Sequence, residues 1–145
     1  MPERKLEYQT LEHKADTGIM VTAPSLERLY IDSALALTDL MVKLDSVKDS
    51  EKRCVRVEAE TRDSLMVRWL TEILFLFEKE RFLSHRIVFT RFDGKSIEAT
   101  LWGDRYDPIR HGHVSEIKAV TYHQLELGDR PQPEPHFFAR IFLDL

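Results

Sequence analysis

Apolar and polar residues alternate along several short segments of the chain, and this period of two predicts β-strands. In the segment 17–23, Ile19 and Val21 fall on one face, and the preceding segment 6–11 is expected to be its hairpin partner. In the segment 54–60, the valines and the alanine fall on one face and the charged residues on the other. The first half of the chain therefore contains three predicted strands.

Two longer segments have apolar residues at spacings of three and four, which predicts α-helices. The first helix follows Pro24, has Ser25 as its expected N-cap and ends at about Val42. The second helix runs from about Ser64 to Phe82. Its apolar residues cover more than one face, so it is predicted to be the more deeply buried of the two.

The second half of the chain returns to a strand pattern. The segment 86–103 is a predicted hairpin, with the Asp-Gly pair at 93–94 forming a two-residue type I′ turn in which both residues have positive φ. Further strands are predicted at 116–127 and 136–145, joined by a proline-rich loop at 128–135. The order ββαβαββββ predicts an α+β fold, a mainly antiparallel β-sheet system with two packed α-helices.

Length and charge narrow the range of functions. A chain of 145 residues is expected to form a single domain, residues 1–145. With 21 Lys and Arg against 25 Asp and Glu, its net charge is −4. An acidic chain is a poor candidate for holding nucleic acid by phosphate contacts alone. If RNA is involved, we expect a partner protein to hold it.

The single cysteine, Cys54, excludes an internal disulfide and a four-cysteine zinc site. We expect it to be a small buried or half-buried strand residue. A lone thiol is typical of a reducing compartment. No segment approaches the length of a membrane span, and the start "MPERKLEYQT" has no apolar signal core. These features predict a cytoplasmic protein that does not contact a membrane.

Candidate chemistry is confined to three polar clusters, because the chain lacks glycine-rich phosphate loops and a G-x-S-x-G motif. The C-terminal cluster is unusual, since an apolar strand leads directly into an aspartate next to the terminal carboxylate. Two such negative groups repel each other unless a cation or a basic side chain lies between them. The clusters contain His13, Lys14 and Asp16; Asp104, Asp107, His111 and His113; and Asp144, which precedes Leu145.

Each cluster also has a purely structural interpretation. Asp16, close to Gly18, is typical of a turn, and His13 at a strand end is typical of a hydrogen-bonded structural histidine. Asp104 follows a glycine and also suits a turn, and the two histidines of the middle cluster bracket a glycine in a polar loop. From the residues alone, the structural and the functional interpretations both stay open.

Four segments in order, "HKADTGI", "VRWLTEILFLFEKERF", "GDRYDPIRHGHVSEIKAVTYHQLEL" and "ARIFLDL", resemble the archease family over essentially the whole chain. The most specific of them contains "EIKAVTYH", and the terminal apolar-Asp-apolar ending is the second most specific. The resemblance implies a small α+β protein that assists an RtcB-type RNA ligase of tRNA splicing and RNA repair. It implies promotion of the ligase's guanylylation and multiple turnover, and a second link to chaperoning an RNA-modifying methyltransferase.

The resemblance also implies a divalent-metal site. Matched by motif, its ligands are Asp16 and Asp144, and the terminal carboxylate of Leu145 is a further candidate donor. His13 is the motif histidine, and Lys118 matches a family lysine that is a candidate functional residue. The middle motif is matched by Asp104, Asp107 and His111.

Two positions depart from the family pattern. Lys14 stands where the family usually has threonine, and Asp104 stands where it usually has glutamate. The shorter side chain of Asp104 reaches about one methylene less far, which weakens its case as a ligand. Neither departure affects Asp16 or Asp144.

Carboxylates without thiolates favour hard divalent ions, here Ca²⁺, Mg²⁺ or Mn²⁺. The expected partner is the ligase, with RNA reached through it, and no independent catalysis is expected. The oligomeric state stays open, because strand edges can be covered within a monomer or by a second copy.

Two other classes of function are kept open. One is a small metal-dependent hydrolase that uses His13 and Asp16 with His111 or His113. The other is a general chaperone or binding module with an exposed aromatic contact surface. The residues proposed for that surface are Trp102, Tyr106, Phe137 and Phe138.

Overall fold

The computed structural model describes residues 6–12 and 16–145, with the backbone alone at Glu12 and Asp16. His13 and Lys14 lie outside the described residues. The predicted α+β class, with antiparallel strands and two long helices, is confirmed. In chain order the elements are β1 (Tyr8–Glu12), β2 (Asp16–Ala23), α1 (Leu26–Met41), β3 (Glu51–Glu58), α2 (Arg62–Glu80), β4 (Phe82–Phe92), β5 (Ser96–Arg105), α3 (Pro108–His111), β6 (Ala119–Arg130) and β7 (His136–Asp144).

The strands form two antiparallel sheets. Sheet A has the order β1-β2-β7-β6, and sheet B has the order β3-β5-β4. The C-terminal strand β7 therefore lies between β2, from the start of the chain, and β6. This arrangement brings the start of β2 and the end of β7 together at one end of sheet A.

The two long helices begin at side-chain caps. The Ser25 side chain accepts the backbone N–H of Arg28 at 3.1 Å, which confirms the predicted N-cap of α1. The helix α2 begins two residues earlier than predicted, because Thr61 and Ser64 form a capping box around its first turn. Short polar residues ahead of an apolar run are the sequence signal for this start, and the prediction missed it.

The core lies where both helices meet the inner faces of the sheets. The helix α1 contacts β2, β4 and β7, and α2 contacts β3, β4 and β6. The fully buried Trp69 donates its indole N–H to the carbonyl of Tyr30 at 2.7 Å, which joins the two helices. Burial raises the pKa of the Tyr30 hydroxyl well above its ordinary value, so this group stays a donor, here to the carbonyl of Arg62.

The predicted type I′ turn between β4 and β5 is wrong. The connection has three residues, Asp93–Lys95, and Asp93 is not among the described residues with positive φ, whereas Gly94 has φ 84°. The Asp93 carboxylate instead accepts the backbone N–H groups of Lys95 at 2.9 Å and Ser96 at 2.7 Å. These bonds hold the pKa of Asp93 below its ordinary value, and they close the turn without a second left-handed residue.

Two other local predictions are corrected by strand geometry. Cys54 is exposed rather than buried, because alternation along β3 places it on the face opposite the buried Val55 and Val57. The strand β6 begins at Ala119 rather than 116 and extends to Arg130. The proline-rich loop is therefore shorter than predicted.

The four aromatic residues proposed as one exposed contact surface do not form one. Trp102 lies in β5 of sheet B and Tyr106 directly follows that strand. Phe137 and Phe138 lie on β7 of sheet A. Phe138 is buried, and the other three are half-buried. Across the described part of the chain, no helix is both long and apolar enough to cross a membrane.

Candidate functional site

The end of sheet A brings together the two aspartates that the resemblance pairs. Asp16 of β2 stands directly opposite Asp144 of β7, and Asp144 in turn stands opposite Ala119 of β6. Residues directly opposite each other in an antiparallel pair lie on the same face of a sheet and are close neighbours. Two residues 128 positions apart in sequence are thus cross-strand neighbours, since 144 − 16 = 128.

The register that creates this neighbourhood is fixed by the core. Ala139, Ile141 and Leu143 of β7 are fully buried, so a slip of one residue would move all three to the other face. The strand is also held at its end, where the backbone N–H of Lys118 donates to the carbonyl of Asp144 at 2.8 Å. Asp144 is therefore a positioned residue although its side chain is exposed.

The next cross-strand pair on the same face of sheet A is apolar and tightly packed. Gly18 stands opposite Phe142, and a Cβ on Gly18 would lie 2.7 Å from the ring carbon Cε1 of Phe142. The phenylalanine ring thus occupies the space that a side chain at 18 would need. Gly18, which the sequence suggested as a turn residue, lies inside β2 and makes room for this ring.

The donor set at the end of sheet A fits a hard cation. Asp144 is exposed, and Leu145 beside it, whose terminal carboxylate is the further candidate donor predicted from the sequence, is 52% exposed. Carboxylate oxygens are the ligands that Ca²⁺, Mg²⁺ and Mn²⁺ prefer. The described side chains contain no group of three or more His, Cys, Asp or Glu residues that could hold a metal ion; His13 and the Asp16 side chain lie outside that set.

The middle motif lies in a different place, beside sheet B. Asp104, near the end of β5, is 2% exposed, and its Oδ2 accepts the backbone N–H of Lys48 at 2.8 Å. Its Oδ1 lies 3.0 Å from His111 Nε2 and 3.2 Å from an Arg110 guanidinium nitrogen, and the contact with Arg110 is an ion pair. The carboxylate therefore faces three donors from the protein itself.

The helix α3 closes this cluster. Asp107 caps the helix by accepting the backbone N–H of Ile109, and its own backbone N–H donates to His111 Nδ1 at 2.9 Å. Because Nδ1 accepts a hydrogen bond, the imidazole carries its proton on Nε2, the nitrogen that faces Asp104. Tyr106 stacks on the His111 ring. Both imidazole nitrogens have partners within the protein, and His113 is exposed nearby in the chain.

The predicted site residues thus divide between two places. Asp16, Asp144, Leu145 and Lys118 meet at the end of sheet A. The buried Asp104 and His111, with the half-buried Asp107, form a polar clamp that holds α3 against sheet B. The sequence prediction missed Arg110, although an arginine three residues after Asp107 is a helical ion-pair spacing.

If the clamp is structural, the variant Asp104→Asn should lower the free energy of unfolding by about 3 kcal/mol, since it removes the charge from a buried, paired carboxylate. Urea denaturation measures this. Asp107→Asn is the matched control, because asparagine caps a helix as well as aspartate does, and its cost should stay within about 0.5 kcal/mol. Unchanged stability of Asp104→Asn with weakened metal binding would instead make Asp104 a ligand.

Comparison with known proteins places this geometry in a family. The model of the Archease protein family (MTH1598/TM1083) matches residues 8–145. The chain belongs to the archease family. Protein archease of Methanosarcina mazei is 35% identical over 136 residues, which cover 88% of this chain and 90% of that protein. Protein archease of Pyrococcus abyssi is 31% identical over 146 residues, covering 95% of this chain and 98% of that protein.

Solved structures agree with the archease assignment. The solution structure of Methanobacterium thermoautotrophicum protein 1598 superimposes with a TM-score of 0.78 at 30% identity, and covers 95% of this chain and 98% of that one. The crystal structure of a Thermotoga maritima protein, described as "an archease, possible chaperone", superimposes with a TM-score of 0.65 at 19% identity. It covers 100% of this chain and 99% of that one, and at this identity it shows the fold alone.

Proposed function

We propose that this archease activates an RtcB-type RNA ligase in the cytoplasm, promoting its guanylylation and multiple turnover in tRNA splicing and RNA repair. The activity uses a divalent cation held at the end of sheet A by Asp16, Asp144 and the terminal carboxylate of Leu145. The observation that supports this best is the direct cross-strand pairing of Asp16 with Asp144 at the end of a strand whose register the core fixes. Membership of the archease family supports the choice of an RtcB-type ligase as the proposed partner.

Each residue of the candidate site has a role that follows from its position. The carboxylates of Asp144 and Leu145 are one residue apart and repel each other, so binding a cation relieves that repulsion. Lys118 holds the backbone of Asp144 through its N–H, and its exposed side chain is a positive charge for a phosphate or for a carboxylate of the ligase. A bound divalent ion would supply further positive charge to phosphate oxygens.

The chain itself is assigned no covalent step. The nucleophile that forms the guanylate belongs to the ligase, and the role of this chain is to bind the ligase and present its carboxylates and Lys118. RNA is therefore reached through the ligase, in keeping with the net charge of −4. The hydrolase alternative gains no support from His111, because both of its ring nitrogens face groups of the protein itself.

A second candidate is a chaperone-like partner of an RNA-modifying methyltransferase. It is favoured by the description "possible chaperone" of the Thermotoga maritima protein. This function predicts activity that survives chelation of divalent ions and substitution of the aspartates.

The test is a guanylylation assay of the cognate ligase with and without this chain, under a titration of Mn²⁺ and Mg²⁺. We expect the chain to increase the number of ligase molecules guanylylated per unit time, with a metal dependence that shifts when the chain is present. A stimulation that is identical at every metal concentration, or no stimulation at all, would contradict the proposal. Turnover of a phosphoester by the purified chain with Mn²⁺, in the absence of ligase, would favour the hydrolase.

A further inference from the structure

A segment without regular secondary structure joins α3, beside sheet B, to the start of β6 at the end of sheet A. We call this segment the strap (residues 112–118). It begins directly after His111 of the clamp and ends at Lys118, whose backbone N–H donates to the carbonyl of Asp144. The strap therefore runs from one group of predicted site residues to the other.

The strap is fixed to the core at several points. Val114 is half-buried and Ile117 is buried, and both pack against the core. Between them, the backbone N–H of Ser115 donates to the carbonyl of Met41, the last residue of α1, at 2.9 Å. Lys118 itself is exposed, so the position of its side chain depends on how firmly the strap is held.

Arg81, which directly follows α2, joins the strap to the rest of the protein. Its guanidinium donates to the Glu116 carboxylate at 2.7 Å, two residues before Lys118. Its backbone carbonyl accepts the N–H of Tyr106, which precedes α3, at 2.8 Å. The Tyr106 hydroxyl in turn donates to the carbonyl of Gly112, the first residue of the strap. Arg81 thus contacts the chain both before and after α3.

The backbone conformation at Arg81 is one that favours glycine. Arg81 is the C-cap of α2 with φ 56° and ψ 27°, in the left-handed region that glycine commonly supplies at the end of a helix. For other L-residues this conformation is unfavourable, because Cβ approaches the following carbonyl oxygen. What arginine adds over glycine here is its contact with Glu116 and with the Phe77 ring, whose centroid lies 4.8 Å from the guanidinium carbon.

We infer that Arg81 is a positioning residue for Lys118 and acts through Glu116 and the strap. The role of the Lys118 side chain at the ligase rests on the proposed function. The middle motif gains a part in that function, because the clamp holds α3 and the strap begins where α3 ends. The pair of Arg81 and Glu116 is exposed, so its loss should loosen the strap without unfolding the protein.

The first test measures amide hydrogen exchange of Lys118 in the full chain, which reports how often its bond to Asp144 opens. Arg81→Gly should speed this exchange by about threefold, the scale that an exposed ion pair supports. Glu116→Ala removes the other partner without changing residue 81 and should give the same increase. The urea midpoint of Arg81→Gly should not fall, because glycine adopts the left-handed backbone freely. A local effect is thereby separated from a loss of global stability.

Arg56→Thr is the matched control. It removes an exposed arginine that bonds Glu58 at 3.0 Å on β3, an edge strand of sheet B, and should leave Lys118 exchange unchanged. The second test measures the concentration of the chain that gives half-maximal stimulation of the ligase. Arg81→Gly should raise it by about twofold to threefold, but not in a Lys118→Met background. A residue that acts through the Lys118 side chain has no effect once that side chain is absent.

Three results would overturn the positioning role of Arg81. One is unchanged Lys118 exchange in Arg81→Gly. Another is faster exchange in Arg81→Gly but not in Glu116→Ala, which would assign the effect to the backbone at residue 81. The third is an equal rise in the half-maximal concentration with and without the Lys118 side chain. If Lys118→Met stimulates the ligase fully, the proposed role of Lys118 fails, whereas the exchange measurement needs no ligase and decides the positioning role by itself.

Discussion

Asp144→Asn is expected to reduce stimulation of the ligase to the level of the ligase alone. The substitution keeps the size and shape of the side chain but removes one of the few negative charges available to a cation at the end of sheet A. Loss of a direct ligand should weaken Mn²⁺ binding by about tenfold or more, since even indirect support of a ligand is worth that much. Isothermal titration with Mn²⁺ and the guanylylation assay measure the two effects separately. Asp16→Asn should behave in the same way.

The fold should survive this change. Asp144 is exposed, and its backbone, not its side chain, receives the hydrogen bond from Lys118, so the free energy of unfolding should change by no more than about 0.5 kcal/mol. Asp129→Asn is the matched control, because Asp129 is an exposed aspartate at the opposite end of the β6–β7 pair, where it stands across from Phe137. A folded Asp144→Asn protein that stimulates fully would remove the end of sheet A from the mechanism.

The helices and strands of this archease were largely predictable, because apolar residues recur at regular spacings along them. Both long helices and the hairpin of β4 and β5 follow from apolar spacing. Their ends were less accurate, since they depend on single polar contacts such as Thr61 with Ser64 at the start of α2. The division into two sheets could not be read from periodicity, because alternation along a strand identifies its buried face without identifying its neighbours.

The candidate site was predictable only in part, again because the sequence pattern does not show which strands are neighbours. The chain ending in "IFLDL" indicated a positioned aspartate, but only the resemblance paired Asp144 with Asp16. The structure adds the physical basis, which is the central place of β7 in sheet A. The irregularity of β6 between Thr121 and Glu126 was missed, because the run at 116–127 alternates well enough to predict a continuous strand. Extra residues in one strand become visible only once the register with its partner is known.

Gly103→Ala is expected to cause the largest loss of stability of any substitution considered. Gly103 lies in β5, the central strand of sheet B, opposite Ser84. A Cβ at this position would lie 1.8 Å from the carbonyl oxygen of Leu83 and 2.9 Å from its carbonyl carbon. Both atoms belong to the backbone, so no side-chain rotation relieves the clash, and β4 would have to separate from β5. We expect a loss of about 4 kcal/mol or more, measured by urea denaturation.

Gly94→Ala distinguishes the loss of stability caused by a steric clash from the loss caused by an unfavourable backbone conformation. Gly94 has φ 84° but nothing within 4 Å of an added Cβ, so Gly94→Ala should cost only about 1 kcal/mol, from the left-handed backbone. A Gly103→Ala protein no less stable than Gly94→Ala would mean that β4 and β5 do not approach as closely as described. Because Gly103 precedes Asp104, separation of β4 from β5 should also loosen the clamp around His111. Hydrogen exchange in α3 should then rise together with exchange in β5, whereas Gly94→Ala should leave α3 unchanged.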